Sequence, residues 1–235
     1  MATFFGEVVT GSYRHIDPDQ PDYNEGVQQT WTLDSDIEQE KNLLIVTEGS
    51  IAENYMKMLL VNNDQMRRVA GITSDQEMID VVRSDQLTLV SCSGHETGNI
   101  GHVVMSLAQC DTCHVLVITA RHVSQLRVAD PRASAVYCLG TKLWSEERPC
   151  PSLPQPSIIS GVTASLMTRG QVSGRRVLAI IVFTEILRPD SLSLEPLKII
   201  HKIGSVSRAG LKSPVNIASD LGKLKLFSCP DNIYM

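Results

Sequence analysis

Three stretches of this chain are apolar at nearly every position: 42–47 (NLLIVT), 115–119 (VLVIT) and 176–184 (RVLAIIVFT). Each is strand-sized and rich in β-branched residues, and none alternates apolar with polar. A strand of this kind sends apolar side chains to both faces of its sheet, so both faces must be covered. Segments with helical character lie between these runs. Strands alternating with helices predict an α/β fold, a single domain with a mostly parallel central sheet flanked by helices.

The remaining elements follow from local signals. Ser50-Ile51-Ala52-Glu53 has the form of a capping box, opening a helix through Val61. A short helix is expected over 73–82, a strand over 86–92 (QLTLVSC), and a helix over 98–109 with Ile100, Val103, Val104 and Leu107 on one face. Pro149, Pro151, Pro154 and Pro156 make their stretch a loop. Helices are expected over 158–168, over 193–203 with a cap at Ser191 or Ser193, and over 216–226. The domain plan is an N-terminal strand within 1–10, centred on 4–9, and an acidic, mostly irregular connector over 11–41. The α/β domain then spans 42–226, and a C-terminal tail 227–235.

Charge and length narrow the function classes. A net charge of −5 with no Lys/Arg cluster argues against nucleic acid as the main partner. No apolar run is long enough to cross a bilayer. The N-terminus lacks a basic segment followed by an apolar one, so no secretory signal is expected. Six cysteines in a chain of 235 residues without such a signal are expected to be reduced thiols.

Several constellations invite chemistry. Cys110-Asp111-Thr112-Cys113-His114 spells the C-x-x-C-H string of c-type haem attachment, but it abuts the 115–119 strand, and buried structural thiols are the plainer reading. Cys92, His95, Cys110 and Cys113 form a formal three-cysteine, one-histidine zinc set at short spacings that arise easily by chance. Residues 94–101 (GHETGNIG) form a glycine-rich turn between strand and helix; it matches neither dinucleotide nor P-loop fingerprints and reads as a turn. Arg121-His122 follows an apolar strand, where α/β proteins place functional groups, yet no paired acid or nucleophile is evident, and a polar strand cap is the plainer reading. Met56, Met58, Met66, Met105 and Met167 read as core filling.

The chain ends in Ile233-Tyr234-Met235, an apolar residue, a phenol and a terminal carboxylate, which together suit capture of a chain end in a partner's slot. Other segments are Ala2-Thr3-Phe4-Phe5-Gly6-Glu7-Val8-Val9, Ile118-Thr119-Ala120-Arg121-His122-Val123, Leu153-Pro154-Gln155-Pro156-Ser157-Ile158-Ile159, residues 176–196, and the closing Asn232-Ile233-Tyr234-Met235. In this order they resemble the proteasome assembly chaperone 1 family, over most of the folded body but not over 11–41. The resemblance implies a phosphorylase-like α/β domain without an active site, and a non-enzymatic chaperone without cofactor or metal. It implies a heterodimer with proteasome assembly chaperone 2 that binds free 20S proteasome α-subunits, promotes a complete α-ring, and blocks ring dimers and premature activator docking. It places the protein in the cytoplasm, and in the nucleus as well. It gives Ile233, Tyr234 and Met235 the role of docking into the pocket between α-subunits. The competing expectation is a phosphorylase- or hydrolase-like enzyme on a small molecule, using the turn after Cys92 and His122.

Overall fold

The apolar runs become the middle of one sheet. The computed structural model describes residues 32–33, 42–61, 67–73, 78–92, 100–108, 112–127 and 134–228. Its strands are β1 (Thr32–Leu33), β2 (Leu43–Glu48), β3 (Arg67–Thr73), β4 (Met78–Arg83), β5 (Leu87–Ser91), β6 (His114–His122), β7 (Ser134–Gly140) and β8 (Arg176–Thr184). Among the described residues they form one sheet in the order β1-β3-β4-β5-β2-β6-β8-β7. The four central strands, β5, β2, β6 and β8, are parallel, with Ile45 level with Leu89 and Leu116, and Leu116 level with Leu178. Antiparallel strands extend both sides, β4, β3 and β1 on one and β7 on the other.

Alternate residues of the central strands feed two separate cores. Leu43, Ile45, Leu116, Ile118, Leu178, Ile180 and Val182 face one layer. That layer is α1 (Ser50–Val61), α4 (Ser191–Leu194), the 3-10 helix Glu195–Lys202, α5 (Gly204–Arg208) and α6 (Ile217–Ser228). Leu44, Val46, Val115, Val117, Val177, Ala179 and Ile181 face the other, built from α2 (Ile100–Ser106) and α3 (Gly161–Val172). Each of these strand residues is at most 1% exposed. Burying one such aliphatic side chain contributes about 1.5–3 kcal/mol, so the two-sided strands account for much of what holds the layers together. Met56 and Met58 pack in the first core and Met167 in the second; Met66 lies outside the described residues.

Several local expectations are corrected. The helix expected over 73–82 is instead the end of β3 and the strand β4. Ser84 N donates to Leu87 O at 2.9 Å, closing a tight turn that pairs β4 with β5, and tertiary pairing overrides the weak helical spacing. No capping box forms at Ser50: its hydroxyl donates to Leu187 O at 3.3 Å, and Glu53 pairs with Lys57 at 2.7 Å. The helix expected over 193–203 is α4 running into a 3-10 helix, and its cap is Asp190, whose carboxylate accepts from Ser193 N at 2.6 Å while Ser193 Oγ accepts from Asp190 N at 3.0 Å. β3 and β7 were not expected, and Thr32–Leu33 pairs with β3 inside the stretch read as a connector. The strand expected over 4–9 lies outside the described residues.

Ile180→Ala removes a side chain of β8 that is 0% exposed and should lower the unfolding free energy by about 2–5 kcal/mol. Val215, 95% exposed, is the control: Val215→Ala should cost less than about 0.5 kcal/mol in the same urea titration. Equal costs at the two positions would mean that β8 is not buried on both faces.

Candidate functional site

In a parallel α/β sheet, ligands bind beyond the carboxyl ends of the strands. At that edge β2 ends in Glu48 and β6 in Arg121 and His122. Glu48 Oε1 accepts from Arg121 Nη2 at 2.9 Å and from Val162 N at 3.2 Å. Its Oε2 accepts from Thr163 N at 3.1 Å and from the Thr163 hydroxyl. Arg121 Nη2 also donates to Ser160 O at 2.8 Å. The first free N–H groups of α3, which together with the helix dipole would attract a phosphate, therefore hold a carboxylate supplied by the chain itself. Gly161 makes this possible: its φ is +78°, and a Cβ there would sit 2.2 Å from Glu48 Oε1. The plug is electrically balanced by Arg121, and it leaves little of the anion-binding capacity of this helix end unspent.

The residues singled out in the sequence are distributed around this plug without joining it. His122 Nδ1 lies 2.8 Å from Ser124 Oγ and accepts from Ser124 N at 3.2 Å, so the ring caps the 3-10 turn Val123–Gln125. His122 is thus a polar cap at the end of β6. Cys92 follows β5 at the carboxyl edge, with its N–H donating to Thr47 O at 2.9 Å; burial, then the charge of Glu48, pushes its thiol up to about 12. Cys113 precedes β6 at the opposite edge, beside His114, whose N–H donates to Asn42 O at 3.0 Å. About six residues of extended chain, roughly 20 Å, separate the two levels, so Cys92 and Cys113 do not meet around one metal ion. His95 and Cys110 lie outside the described residues. Of the glycine-rich turn, Gly101 is described: a Cβ there would meet Ser165 Oγ at 2.2 Å, so this glycine lets α2 approach α3.

Ile233, Tyr234 and Met235 also lie outside the described residues. The helix that leads toward them is anchored, with Ile217 and Leu221 of α6 in the first core beside α1. Large apolar side chains stand in solvent on segments at the carboxyl edge: Ile158 before α3, Ile186 and Leu187 after β8, and Leu192 on α4. This edge therefore combines a filled helix terminus with exposed apolar side chains.

Sequence reasoning found Arg121 but missed Glu48 and Glu146. The signal for Glu48 was present, as the first charged residue after an apolar strand. Glu146 had none, because its partners lie far along the chain. Glu146 accepts from Ser205 N at 2.9 Å and Ser205 Oγ at 3.1 Å and pairs with Arg208. Burial alone would raise its carboxyl; hydrogen bonds from Ser205 and Arg208, with the nearby His114, hold it below the usual carboxylate range. His114 stacks edge-on against Trp144 at 5.2 Å between ring centroids. Burial pulls its ring below the ordinary histidine value, the Glu146 charge opposes this, and Arg176 and Arg208 add to the depression.

Two outcomes are expected. Glu48→Ala strips two α3 N–H groups and Arg121 of their acceptor; for a partly solvated pair this should cost about 1–3 kcal/mol, with faster amide exchange at Val162 and Thr163. An unchanged exchange rate there would mean that the carboxylate does not hold the helix end. As for pH, below 6.5 the unfolded chain takes up a proton that folded His114 resists, so stability should fall as pH drops from 6.5 through the lowered value. His114→Gln should flatten that part of the stability–pH curve, and an unaltered curve would assign the slope elsewhere.

A family model described as proteasome assembly chaperone 4 matches residues 100–230. Proteasome assembly chaperone 1 of Xenopus laevis is 34% identical over 98 residues, which are 41% of this chain and 34% of that protein, so the match spans about a third of the relative's length. Among solved structures, Pyrococcus furiosus PbaA, an archaeal homolog of proteasome-assembly chaperone, superposes with a TM-score of 0.60 at 11% identity, covering 84% of this chain and 93% of that one. Pyrococcus furiosus PbaB, an archaeal proteasome activator, superposes at 0.54 and 11% identity, covering 85% and 96%. A Thermoplasma acidophilum protein of unknown function superposes at 0.55 and 12% identity, covering 79% and 84%. At these identities the structural likenesses establish a shared fold.

Proposed function

The chain belongs to the proteasome assembly chaperone family, and we propose that it is a non-enzymatic factor in assembly of the 20S proteasome α-ring. The observation that carries this reading is the family match across residues 100–230, which takes in α2, β6, β7, α3, β8 and the helices that follow. The carboxyl edge supports it from the chemical side. Where an enzyme of this architecture would hold an anionic substrate, Glu48 already occupies the end of α3. This weighs against the phosphorylase- or hydrolase-like alternative, as does the use of His122 as a turn cap.

The chain works in the cytoplasm as a heterodimer with proteasome assembly chaperone 2, and its end docks between α-subunits. Ile233 fills an apolar groove, Tyr234 packs its ring and hydrogen-bonds through its hydroxyl, and the Met235 carboxylate meets a cation. Burying an isoleucine contributes about 1.5–3 kcal/mol, and the ring and carboxylate contacts add an amount on the order of a few kcal/mol. Ordering four or five residues costs about 1–2 kcal/mol each. These terms nearly cancel, so one tail binds weakly. A second tail on a partner, or contact through the exposed apolar residues of the carboxyl edge, raises the effective concentration enough for a tight complex.

The test is capture from native lysate with an N-terminally tagged chain, full-length and lacking Tyr234-Met235, read by mass spectrometry. The full-length chain should bring down α-subunits and a second assembly chaperone, and the truncation should lose α-subunits while keeping the chaperone. Adding one residue after Met235 should weaken α-subunit capture in the same way, because it displaces the carboxylate. Full capture by both altered chains would remove the tail from the mechanism, and absence of both partners with the intact chain would remove the chaperone reading.

A further inference from the structure

The amino edge of the parallel strands is the less usual place for function in an α/β sheet, and here it is open. Asn42 and Gln86 stand just before β2 and β5, and His114 and Arg176 begin β6 and β8 side by side. With Ser205 and Arg208 of α5 they line a cleft of about 350 Å3, within the range of small-molecule sites.

The polar groups of this cleft are mostly donors. Arg176 has no carboxylate partner among the described residues, while Arg208 is held by Glu146 and keeps further N–H groups unspent. Asn42 Nδ2 donates to Gln86 Oε1 at 2.7 Å, which leaves the Gln86 N–H groups without a partner among the described residues. His114 is 8% exposed, and its Nε2 has no hydrogen-bond partner among the described residues: Glu146 Oε1 stands 3.8 Å away, beyond reach. A buried ring nitrogen left unpaired at a donor-rich opening needs something to meet it.

We propose that this cleft binds an oxyanion, a phosphate or carboxylate group carried on a small molecule, gripped by the Arg176 and Arg208 guanidinia above His114 Nε2. Guanidinium forks match the paired oxygens of either group. Among the described residues the cleft is lined by two guanidinia and no carboxylate, with Glu146 standing beside it on Arg208. With its proton on Nε2, the neutral ring donates to the anion; an anion beside it also favours the imidazolium, so ligand and proton bind together. A cation fits poorly, because among the described residues the lining holds no carboxylate and the nearby Glu146 is already spent on Arg208 and Ser205.

The probes are inorganic phosphate and acetate, titrated into the full-length chain at ionic strength held constant with sodium chloride. The readouts are the ring resonances of His114 and the melting temperature. A saturable shift of the His114 resonances with a parallel rise in melting temperature is expected for at least one probe, and the probe that saturates first identifies the oxyanion. The same anion should raise the titration midpoint of the His114 ring. Arg176→Gln should weaken binding about tenfold or more, the loss of one charge-assisted fork. Sodium chloride reproducing the shifts, or wild-type affinity in Arg176→Gln, would overturn the proposal. Should Arg176→Gln fail to fold, the native chain decides alone: no saturable His114 shift with either probe sinks it.

Discussion

Burial of β2, β6 and β8 on both faces is the constraint from which the rest of this structure follows. Each strand places consecutive residues in opposite cores, so Leu116 and Val117, or Ile180 and Ile181, depend on different helical layers. Neither layer can leave without exposing half of every central strand. The parallel direction adds to this, since each parallel connection must cross a face of the sheet and brings a helix with it. The antiparallel strands β4 and β7 flank the parallel four: β4 joins β5 through a tight turn, whereas β7 pairs with β8 across 38 or more positions.

The same parallel arrangement gives the sheet two unlike edges. At the carboxyl edge the end of α3 is closed by Glu48, with Arg121 neutralising the carboxylate and Gly161 giving it room. A fold that elsewhere uses this position for ligands here spends it on holding two strands and a helix together. What remains at that edge is surface, including Ile158, Ile186, Leu187 and Leu192. At the amino edge, polar groups from four strand starts and α5 surround a cleft whose charged side chains, among the described residues, are two arginines. The two edges therefore present different chemistry, exposed apolar side chains at one and a polar, arginine-bearing cleft at the other.

The sequence was most legible where periodicity and burial agree. Residues 42–47, 115–119 and 176–184 were read as buried strands because no surface position could carry them, and β2, β6 and β8 match. The expected helices over 98–109, 158–168 and 216–226 correspond to α2, α3 and α6, with ends moved by a few residues. It was least legible in 67–83, where Met78, Ile79, Val81 and Val82 fit a helical face as well as a strand. Pairing of Val81 with Val90 decided the matter, and that partner lies beyond the 73–82 segment whose spacing suggested a helix. β7 was missed because it is a marginal strand, half-buried along most of its length.

The site shows the same division. Residues 118–123 stood out in the sequence, and their resemblance to a chaperone family agrees with the family match over 100–230. The role of Arg121 did not stand out, because its partner Glu48 lies 73 positions away and the helix end they close lies 39 positions on. By itself, the sequence determined that the chain must build a two-faced α/β sheet, since runs such as VLVIT and RVLAIIVFT have no other stable placement in water. Only the tertiary structure decided which charged residues would close the carboxyl edge and which would surround the amino edge. Hydrophobic burial is set by composition along a segment, whereas an ion pair or a cleft exists only between segments that folding brings together.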